Sequence, residues 1–569
     1  MSATFYNQCR KHLERRGVPE VALALLTFAI YARSLFAGFV YDDHQMVEMP
    51  MAFNWTNIVR AFSEDLSTDH ASNFYRPLTA LWQSLVAQLA GSSTWGWHLA
   101  SVLLHVLCVV LVFRLACALL NDRTLAALAA ALFALHPTHV ENVTWVSDSG
   151  DLLLGAFLLF SALAIVRWAR TEQPGWWIAA WAAAAACCFV KETGVIVPLL
   201  LLVLIFSVER KVNGPAIVVT AISFFATSFA FLVLRSQVLH GFAHPLSKAS
   251  NLQMALTLPS AMWFYLSHLL FPVRLGPFYP ILYLSTWQSR DFWLPLLLLA
   301  AALAALAWLY TKLDDRCLFY FCAVWAVAPL LAPLYLKLFL NFELVHDRYL
   351  YLPSIALGVA LARLCQKAGA RRQSSAVVAL VAILALAIFE TVLYQGVWRS
   401  DTTMFERAVE LTPGNARAWV NLGVEYLQAG DLTKGSEMMR RALVIQPDNA
   451  FAWFDLGNVA LRSGDSSTAA GYLRKAVALE PRPNWLVLLG GAQYQLNQLP
   501  EAAWSAQQAA AQNPSEPGVH LLLGAIRLKQ GEPDAAAQDL SLELQLHPGN
   551  PNAEAAMREA QAQIAKGSR

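Results

Sequence analysis

Two adjacent carboxylates, Asp42 and Asp43, directly follow the first apolar segment that is long enough to cross a bilayer. Tyr41 and His44 flank the pair. Ionisable side chains at membrane depth are costly, which makes them functional candidates by default. An acidic pair at a helix exit could also be a solvated cap. We interpret the loop as the centre of an enzyme site, because most other conspicuous polar residues are predicted on the same side of the membrane.

Three basic residues, Arg76, Lys191 and Arg348, stand at predicted outer ends of apolar segments. Positive residues are normally concentrated on the cytoplasmic side. A fixed anion on the outer side would explain these cations, and a lipid-linked phosphate is the obvious anion. The same ends also carry several other polar residues, namely His136, His139, Glu141, Asp148, Asp151 and Glu192.

Each of these residues also has an interpretation without chemistry. Lys191 and Glu192 could form a mutual ion pair that closes a tight turn, and Arg348 could extend towards lipid headgroups. His136 and His139 could simply pack at the interface, which we favour over metal ligation because the HxxH pattern lacks further ligands.

The composition predicts a polytopic membrane protein. Of the 569 residues, 57% are hydrophobic and 14% are charged, and the net charge of +2 gives no indication of a nucleic-acid partner. The eight cysteines lie in or beside apolar segments, so neither a disulfide framework nor a metal site is predicted. The basic residues before the first span place the N-terminus in the cytoplasm.

Residues 1–398 are predicted to form a transmembrane domain of about eleven spans, with the aspartate pair in a loop at 39–94 and an outer loop at 235–291. If the apolar block at 253–272 also crosses, there are twelve. With eleven spans, Arg371 and Arg372 lie in the cytoplasm, as is usual for basic residues, and the C-terminal region lies outside. The predicted spans are 21–38, 95–119, 124–138, 150–168, 175–190, 194–208, 214–234, 292–311, 317–336, 352–366 and 376–395.

Residues 399–569 are predicted to form a helical repeat domain of about four and a half repeats, the first of them partial. Five prolines recur at spacings of 34, 34, 33 and 34 residues, the tetratricopeptide period. Each helix pair buries its apolar side against the next, which leaves a groove for a partner protein. The candidate groove residues are Trp419, Tyr426 and Trp453.

The ordered set of motifs resembles the transmembrane and tetratricopeptide repeat O-mannosyltransferases of the C-type glycosyltransferase superfamily. The resemblance covers nearly the whole chain and departs from the family at two points. Ser149-Gly150-Asp151 stands where the family tends to have Arg before Asp-Leu-Leu, and Asp347 precedes Arg348 where Glu is more usual. The resemblance therefore does not predict which sugar is transferred. The motifs are Asp42-Asp43, YRPL from Tyr75, HPxHxExV from His136, DLL from Asp151, KExG from Lys191 and RxLYLPS from Arg348.

The resemblance implies an all-α fold, in which a C-type glycosyltransferase helix bundle precedes a tetratricopeptide α-solenoid. It implies inverting transfer of a monosaccharide from a polyprenyl-phosphate donor to Ser or Thr of an acceptor protein that the repeats recruit. As a bacterial relative, the chain is expected in the inner (cytoplasmic) membrane, surrounded by lipid, with active site and repeats in the periplasm.

The implied site has three parts. Asp42 or Asp43 suits the catalytic base, and we favour Asp43, with Asp42 orienting the acceptor or a cation. No cofactor is required, although the acidic pair could hold Mg²⁺ or Mn²⁺. The donor phosphate is assigned to Arg76, Lys191 and Arg348. The sugar and acceptor pocket is assigned to His136, His139, Glu141, Asp151, Glu192 and Tyr349.

Two alternatives remain open from the sequence. One is a C-type glycosyltransferase that modifies a lipid or a glycan, with the repeats as an assembly module. The other is a non-enzymatic membrane scaffold whose repeats dock partners, which leaves the outward-facing cations unexplained.

Overall fold

The computed structural model describes residues 17–48, 51–64, 74–208, 214–242, 244–367 and 370–567. Throughout these ranges the regular structure is helical, which confirms the predicted all-α class. The chain divides into two compact units, Met1–Leu411 and Thr412–Arg569. The domain boundary at 398/399 stays a prediction.

The first unit contains seventeen α-helices within its described residues, connected in part by short 3₁₀ turns. The turns that matter for the site are Val146–Asp148, Glu192–Ile196 and Asp347–Leu350. The helices are α1 Val18–Tyr31, α2 Asp42–Glu48, α3 Trp55–Ser63, α4 Pro77–Ala90, α5 Thr94–Leu120, α6 Arg123–Ala134, α7 His139–Thr144, α8 Ser149–Thr171, α9 Pro174–Val190, α10 Val197–Val208, α11 Gly214–Val238, α12 Asn251–Leu270, α13 Arg290–Lys312, α14 Arg316–Val327, α15 Pro353–Lys367, α16 Ala370–Gln395 and α17 Asp401–Leu411.

Among the described residues, six helical segments are long and apolar enough to cross a membrane, and five more are apolar but shorter. Each of the eleven predicted spans overlaps one of these segments. The multi-pass class is therefore confirmed, whereas the number of crossings stays a prediction. The long segments are Val18–Phe36, Thr94–Leu120, Val146–Thr171, Gly214–Val238, Arg290–Lys312 and Ala379–Arg399, and the short ones are Arg123–Ala134, Pro174–Val190, Glu192–Val208, Arg316–Leu330 and Pro353–Gln366.

Small residues let the helices of the first unit approach closely. A Cβ added to Gly358 on α15 would lie 2.6 Å from the carbonyl oxygen of Ala129 on α6. On α8, a Cβ at Gly155 would lie 2.9 Å from the ring of Tyr351. Packing of this kind is what membrane helices use in place of a hydrophobic driving force.

The second unit is a stack of antiparallel helix pairs, and the tetratricopeptide prediction is confirmed. The first helix of each pair carries the glycine of a Leu-Gly dipeptide. A Cβ at Gly423, Gly457, Gly490 or Gly524 would approach a neighbouring side chain to 2.6–2.8 Å. The helices are α18 Ala416–Gln428, α19 Leu432–Ile445, α20 Ala450–Arg462, α21 Ser466–Leu479, α22 Pro483–Gln495, α23 Leu499–Gln512, α24 Val519–Gln530, α25 Pro533–Leu546 and α26 Pro551–Gly567.

Replacing Gly457 by Ala should destabilise the repeat unit, because the new Cβ would lie 2.7 Å from Leu473 Cγ. We expect a loss of about 1–3 kcal/mol. Gly471→Ala is the matched control, since a Cβ there meets no atom within 4 Å, and Ala raises helix propensity by up to ~1 kcal/mol. Urea unfolding followed by tryptophan fluorescence measures both, and equal midpoints for the two variants would contradict the packing argument.

Candidate functional site

Arg348 lies on the 3₁₀ turn Asp347–Leu350, immediately before α15. Its Nη1 donates to Glu141 Oε1 at 2.6 Å, and its backbone N–H donates to Glu141 Oε2 at 3.0 Å. The guanidinium carbon lies 5.1 Å from the ring centroids of both Trp145 and Tyr349. The side chain is 14% exposed. Arg348 is thus held by a carboxylate and two aromatic faces inside the protein, with a small part of the guanidinium accessible.

Lys191 follows α9 in extended backbone and points into the same region. Its Nζ lies 2.6 Å from Asp151 Oδ2 and 3.7 Å from Asp148 Oδ1. It also lies 5.2 Å from the Tyr349 ring centroid, so one ring contacts both Lys191 and Arg348. The turn depends on Gly194, where a Cβ would come within 2.3 Å of the backbone of Cys187. The turn that follows Lys191 therefore needs glycine at position 194, because a side chain there would clash with the backbone of Cys187.

Arg76 directly precedes α4, and its side chain forms a two-pronged contact with Glu192. Its Nη2 lies 2.8 Å from Glu192 Oε2, and its Nε lies 3.2 and 3.1 Å from the two carboxylate oxygens. Thr79 Oγ1 donates to the carbonyl of Val190 at 2.8 Å, which ties α4 to the end of α9. The structure thus shows Glu192 paired with Arg76, and not with Lys191 as one sequence interpretation proposed.

Three cations and four carboxylates lie together here: ion pairs join five of them, and the separate Arg76–Glu192 pair interacts with the rest through the charges of Asp151 and Lys191. We call this set the charge cluster. Its members are Arg76, Lys191, Arg348, Glu141, Asp148, Asp151 and Glu192. Burial lowers the pKa of Lys191, but the charges of Asp151 and Asp148 outweigh that effect and the pKa is raised. Burial raises the pKa of Glu141 to about 7, although the charge of Arg348 opposes this shift. The cations are therefore neutralised largely by the protein itself.

Accessibility differs along the charge cluster. The Arg76 side chain is 29% exposed and Glu192 is 24% exposed, whereas the Lys191 side chain is only 5% exposed. Arg348 is intermediate at 14%. An incoming anion would thus meet Arg76 and Arg348 first, with Lys191 behind them.

Asn142 is a further buried residue in this region, and none of the sequence motifs indicated it. Its Nδ2 donates to Asp148 Oδ2 at 2.8 Å and to the backbone carbonyl of Arg348 at 3.1 Å. The residue joins α7 to the turn that carries Arg348. Its position next to Glu141 in the sequence was the one available signal.

The two predicted acidic residues have different environments. Asp42 is exposed at the start of α2, whereas Asp43 is fully buried. The Asp43 carboxylate accepts bonds from the backbone N–H of Val40 at 3.1 Å and from the N–H and hydroxyl of Ser147 at 2.7 and 2.5 Å. Burial raises the pKa of Asp43 to about 6, and these bonds offset part of the shift. Ser147 lies two residues beyond Trp145, so Asp43 is fastened to the loop that also contacts Arg348.

His136 and His139 are buried side chains with partners inside the protein. His136 Nε2 lies 3.0 Å from the carbonyl of Leu269, and His139 Nε2 lies 2.8 Å from Ser354 Oγ. This geometry matches the packing interpretation, and a role in a sugar pocket stays a prediction. In the described ranges no group of three or more His, Cys, Asp or Glu could hold a metal ion.

The predicted groove residues have structural partners in the repeat unit. The indole N–H of Trp419 donates to the carbonyl of Pro413 at 2.9 Å, and Trp453 makes the same bond to Pro447. Tyr426 lies under the ammonium of Lys434 at 5.1 Å. The two tryptophans therefore fasten their repeats to the preceding proline turn, and their role in binding an acceptor stays a prediction.

Apolar helices of membrane length, a buried charge cluster and a helical repeat unit define a multi-pass membrane protein with tetratricopeptide repeats. Residues 69–234 match the family model described as dolichyl-phosphate-mannose-protein mannosyltransferase. Residues 403–450, 454–517 and 505–551 match the tetratricopeptide repeat. The first match includes Arg76, Glu141, Asp151 and Lys191, so the charge cluster lies mostly within it.

The chain is similar to proteins named protein O-mannosyl-transferase, which confirms the resemblance inferred from the motifs. It is 33% identical to Tmtc2 of Drosophila melanogaster over 205 residues, which are 33% of this chain and 21% of the relative. It is 24% identical to F38B6.6 of Caenorhabditis elegans over 440 residues, 73% of this chain and 61% of the relative. The alignment thus spans about a fifth of the length of the fly relative.

The repeats also align with a solved structure described as a functional characterization of Pseudomonas aeruginosa pilF, at 26% identity. This alignment covers 26% of this chain and 69% of the other, with a TM-score of 0.25.

Replacing Lys191 by Met should destabilise the first unit, because Asp151 would lose the cation at 2.6 Å and Asp148 would keep only Arg348 at 3.9 Å. Breaking one side of a buried pair typically costs roughly 3–5 kcal/mol. Lys191→Met combined with Asp151→Asn should recover part of that loss. The loss is measured as the decrease in the free energy of unfolding in a denaturant titration.

Lys434→Met is the matched control, since Lys434 pairs with Asp431 at the surface and is 59% exposed. An exposed pair contributes at most about 1 kcal/mol. If Lys191→Met and Lys434→Met shifted the unfolding midpoint equally, the charge cluster would not stabilise the first unit as described.

Proposed function

We propose that this chain is a membrane glycosyltransferase that moves a monosaccharide from a polyprenyl-phosphate donor to a Ser or Thr hydroxyl of a protein. In the reaction, the acceptor oxygen forms a bond to the anomeric carbon while the bond from that carbon to the phosphate oxygen breaks. The hydroxyl proton passes to a carboxylate, and polyprenyl phosphate leaves. The names of the similar proteins support a mannose-type sugar.

The single observation that carries the proposal is the convergence of Arg76, Lys191 and Arg348 in one charge cluster. Polyprenyl phosphate leaves as a phosphate monoester with increased negative charge, and it needs cations prearranged around it. Arg348 and Arg76 present planar guanidinium groups, which suit bidentate contact with phosphate oxygens. Their partners Glu141 and Glu192 hold the cations ready until the donor arrives. The pKa of Glu141, about 7, means that this carboxyl can take up a proton when a phosphate replaces it as the partner of Arg348.

The contact between Asp43 and Ser147 supports the assignment of the base. The Ser147 hydroxyl donates to Asp43 Oδ1, the kind of bond that an acceptor Ser or Thr would donate. A carboxylate with a pKa near 6 is a better proton acceptor than one at its ordinary value, and it is still ionised at neutral pH. In this proposal the acceptor hydroxyl displaces Ser147 from Asp43, and the exposed Asp42 orients the acceptor.

The repeat unit is proposed to recruit the acceptor protein, with Trp419, Tyr426 and Trp453 along the recruiting surface. Stacked helix pairs of this type form extended binding surfaces. Location in the inner membrane and orientation towards the periplasm belong to the same proposal. Polyprenyl-phosphate donors are membrane lipids, and the sequence predicts the loops of the charge cluster on the outer side.

Reconstituted protein tests the function directly. The full chain in lipid nanodiscs is given polyprenyl-phosphate mannose and a set of Ser/Thr-containing peptides, and mass spectrometry looks for peptides that gain a hexose. Transfer that disappears when the Arg348→Ala variant replaces the wild type supports the proposal. Transfer to lipid or glycan with none to peptide contradicts the acceptor assignment, and transfer from a nucleotide sugar alone contradicts the donor assignment.

Asp43→Asn should abolish transfer while the protein still folds, because the amide keeps the shape of the side chain but cannot accept the proton. General-base catalysis contributes about 10²–10⁴-fold, and turnover should fall by that amount. Asp42→Asn is the matched control and should cost much less. Turnover and thermal unfolding are measured on the same preparations, and wild-type turnover in Asp43→Asn would remove it as the base.

The kcat/KM for transfer should also have an acid limb near pH 6, since it reports the free enzyme, in which Ser147 still bonds Asp43, the base must be ionised and the pKa of Asp43 is raised to about 6. Activity is lost as the pH falls through that value. The Ser147 hydroxyl lowers this pKa, so Ser147→Ala should move the limb to higher pH. Rates of both proteins are measured from pH 4 to 8. An acid limb at the same pH in Ser147→Ala and in the wild type would show that a group other than Asp43 titrates.

A further inference from the structure

One carboxylate from the far end of the first unit contacts both sides of the aspartate pair. Asp401 is the first residue of α17. Its Oδ1 accepts the backbone N–H of Tyr41 at 2.7 Å, and its Oδ2 lies 2.7 Å from His44 Nε2. Tyr41 and His44 are the residues that immediately flank Asp42-Asp43. Asp401 therefore bridges the two ends of the four-residue segment that contains the pair.

Further contacts attach the same segment to the chain around Asp401. The backbone N–H of Gly38 donates to the carbonyl of Arg399 at 2.9 Å. The Tyr41 ring lies 6.2 Å from the ring of Phe405 and 6.3 Å from that of Trp145, measured between centroids. The Asp401 side chain is 12% exposed. The bond to the Tyr41 N–H is thus partly shielded from water, whereas the His44 side chain is 49% exposed. A charge-assisted hydrogen bond is stronger than a neutral one.

The backbone that Asp401 holds is strained. Tyr41 has a φ of +54°, in the left-handed region. A residue with a Cβ rarely adopts this conformation, and it persists only where the surroundings impose it. The strained residue directly precedes Asp42, so its conformation sets the direction in which α2 begins and the depth at which Asp43 is buried.

We propose that Asp401 is a positioning residue, which holds Tyr41 and His44 so that Asp43 keeps its bonds to Ser147, the residue before Asp148 of the charge cluster. The role of the pair itself rests on the proposed function. Asp401 touches neither the charge cluster nor Asp43 directly. It acts through the backbone of Tyr41 and the ring of His44.

Amide hydrogen exchange on the full chain in nanodiscs tests the clamp without any need for activity. In Asp401→Ala, the amides of residues 38–44 should exchange about tenfold faster or more, because the Tyr41 N–H loses its acceptor. Asp401→Asn should exchange more slowly than Asp401→Ala, since its Oδ1 still accepts that N–H. Glu410→Ala is the matched control on the same helix, because Glu410 is 67% exposed and contacts Arg407. Unchanged exchange in Asp401→Ala would overturn the proposal.

The same variants are then measured for transfer. Asp401→Ala should lower kcat about tenfold with the KM for the donor within about twofold, and Asp401→Asn should recover part of the loss. His44→Ala added to Asp401→Ala should cost nothing more, because His44 acts through the same carboxylate. A wild-type kcat in Asp401→Ala, or an equal loss in Glu410→Ala, would overturn the positioning role. If the wild type transfers no sugar, the proposed function fails, and the exchange result alone decides whether Asp401 holds the loop.

Discussion

The first unit depends on one electrostatic requirement. Each cation that the apolar helix bundle buries needs a carboxylate partner. A guanidinium or ammonium removed from water without a partner costs several kcal/mol. Arg348, Lys191 and Arg76 escape that cost because Glu141, Asp151 and Glu192 lie within 2.6–2.8 Å of them. The cations come from three different loops, so the pairing also fixes where the ends of α4, α9 and α15 meet. Stability and the candidate chemistry therefore use the same contacts.

This arrangement has a consequence for ligand binding. An anion that enters the charge cluster competes with a carboxylate that is already in place, so binding is an exchange of partners. The raised pKa of Glu141 lowers the cost of that exchange, because the displaced carboxyl can be protonated near neutral pH. A neutral ligand gains nothing from the exchange. In the proposed function the donor phosphate is the anion that makes this exchange, and the partly exposed Arg76 is the first cation it meets.

Much of the architecture could be predicted from the sequence. Eleven apolar blocks each correspond to an apolar helix, because a run of hydrophobic residues has few other stable arrangements in lipid. The proline period of the repeats predicted the helix pairs of the second unit. The cations at the predicted outer ends led to the prediction of a nearby anion, a lipid-linked phosphate, and the structure shows four carboxylates of the protein beside them. The external phosphate stays a proposal.

The sequence could not indicate which charges pair. Arg76 meets Glu192 across 116 residues, and Arg348 meets Glu141 across 207. Such contacts depend on how helices pack, and no local pattern records them. Asn142, Ser147 and Asp401 were missed for the same reason, since each acts through a partner distant in sequence or through a backbone atom. The burial of Asp43 beneath the exposed Asp42 also follows from the tertiary contact with Ser147, and the two residues look alike in the sequence.

The most direct test of the central claim is an experimental structure of the chain with a polyprenyl-phosphate monosaccharide bound. The account predicts the phosphate within hydrogen-bond distance of Arg348 and of Arg76 or Lys191, with at least one of Glu141 and Glu192 displaced from its cation. A phosphate bound elsewhere, with all three cations still paired to their carboxylates, would contradict it.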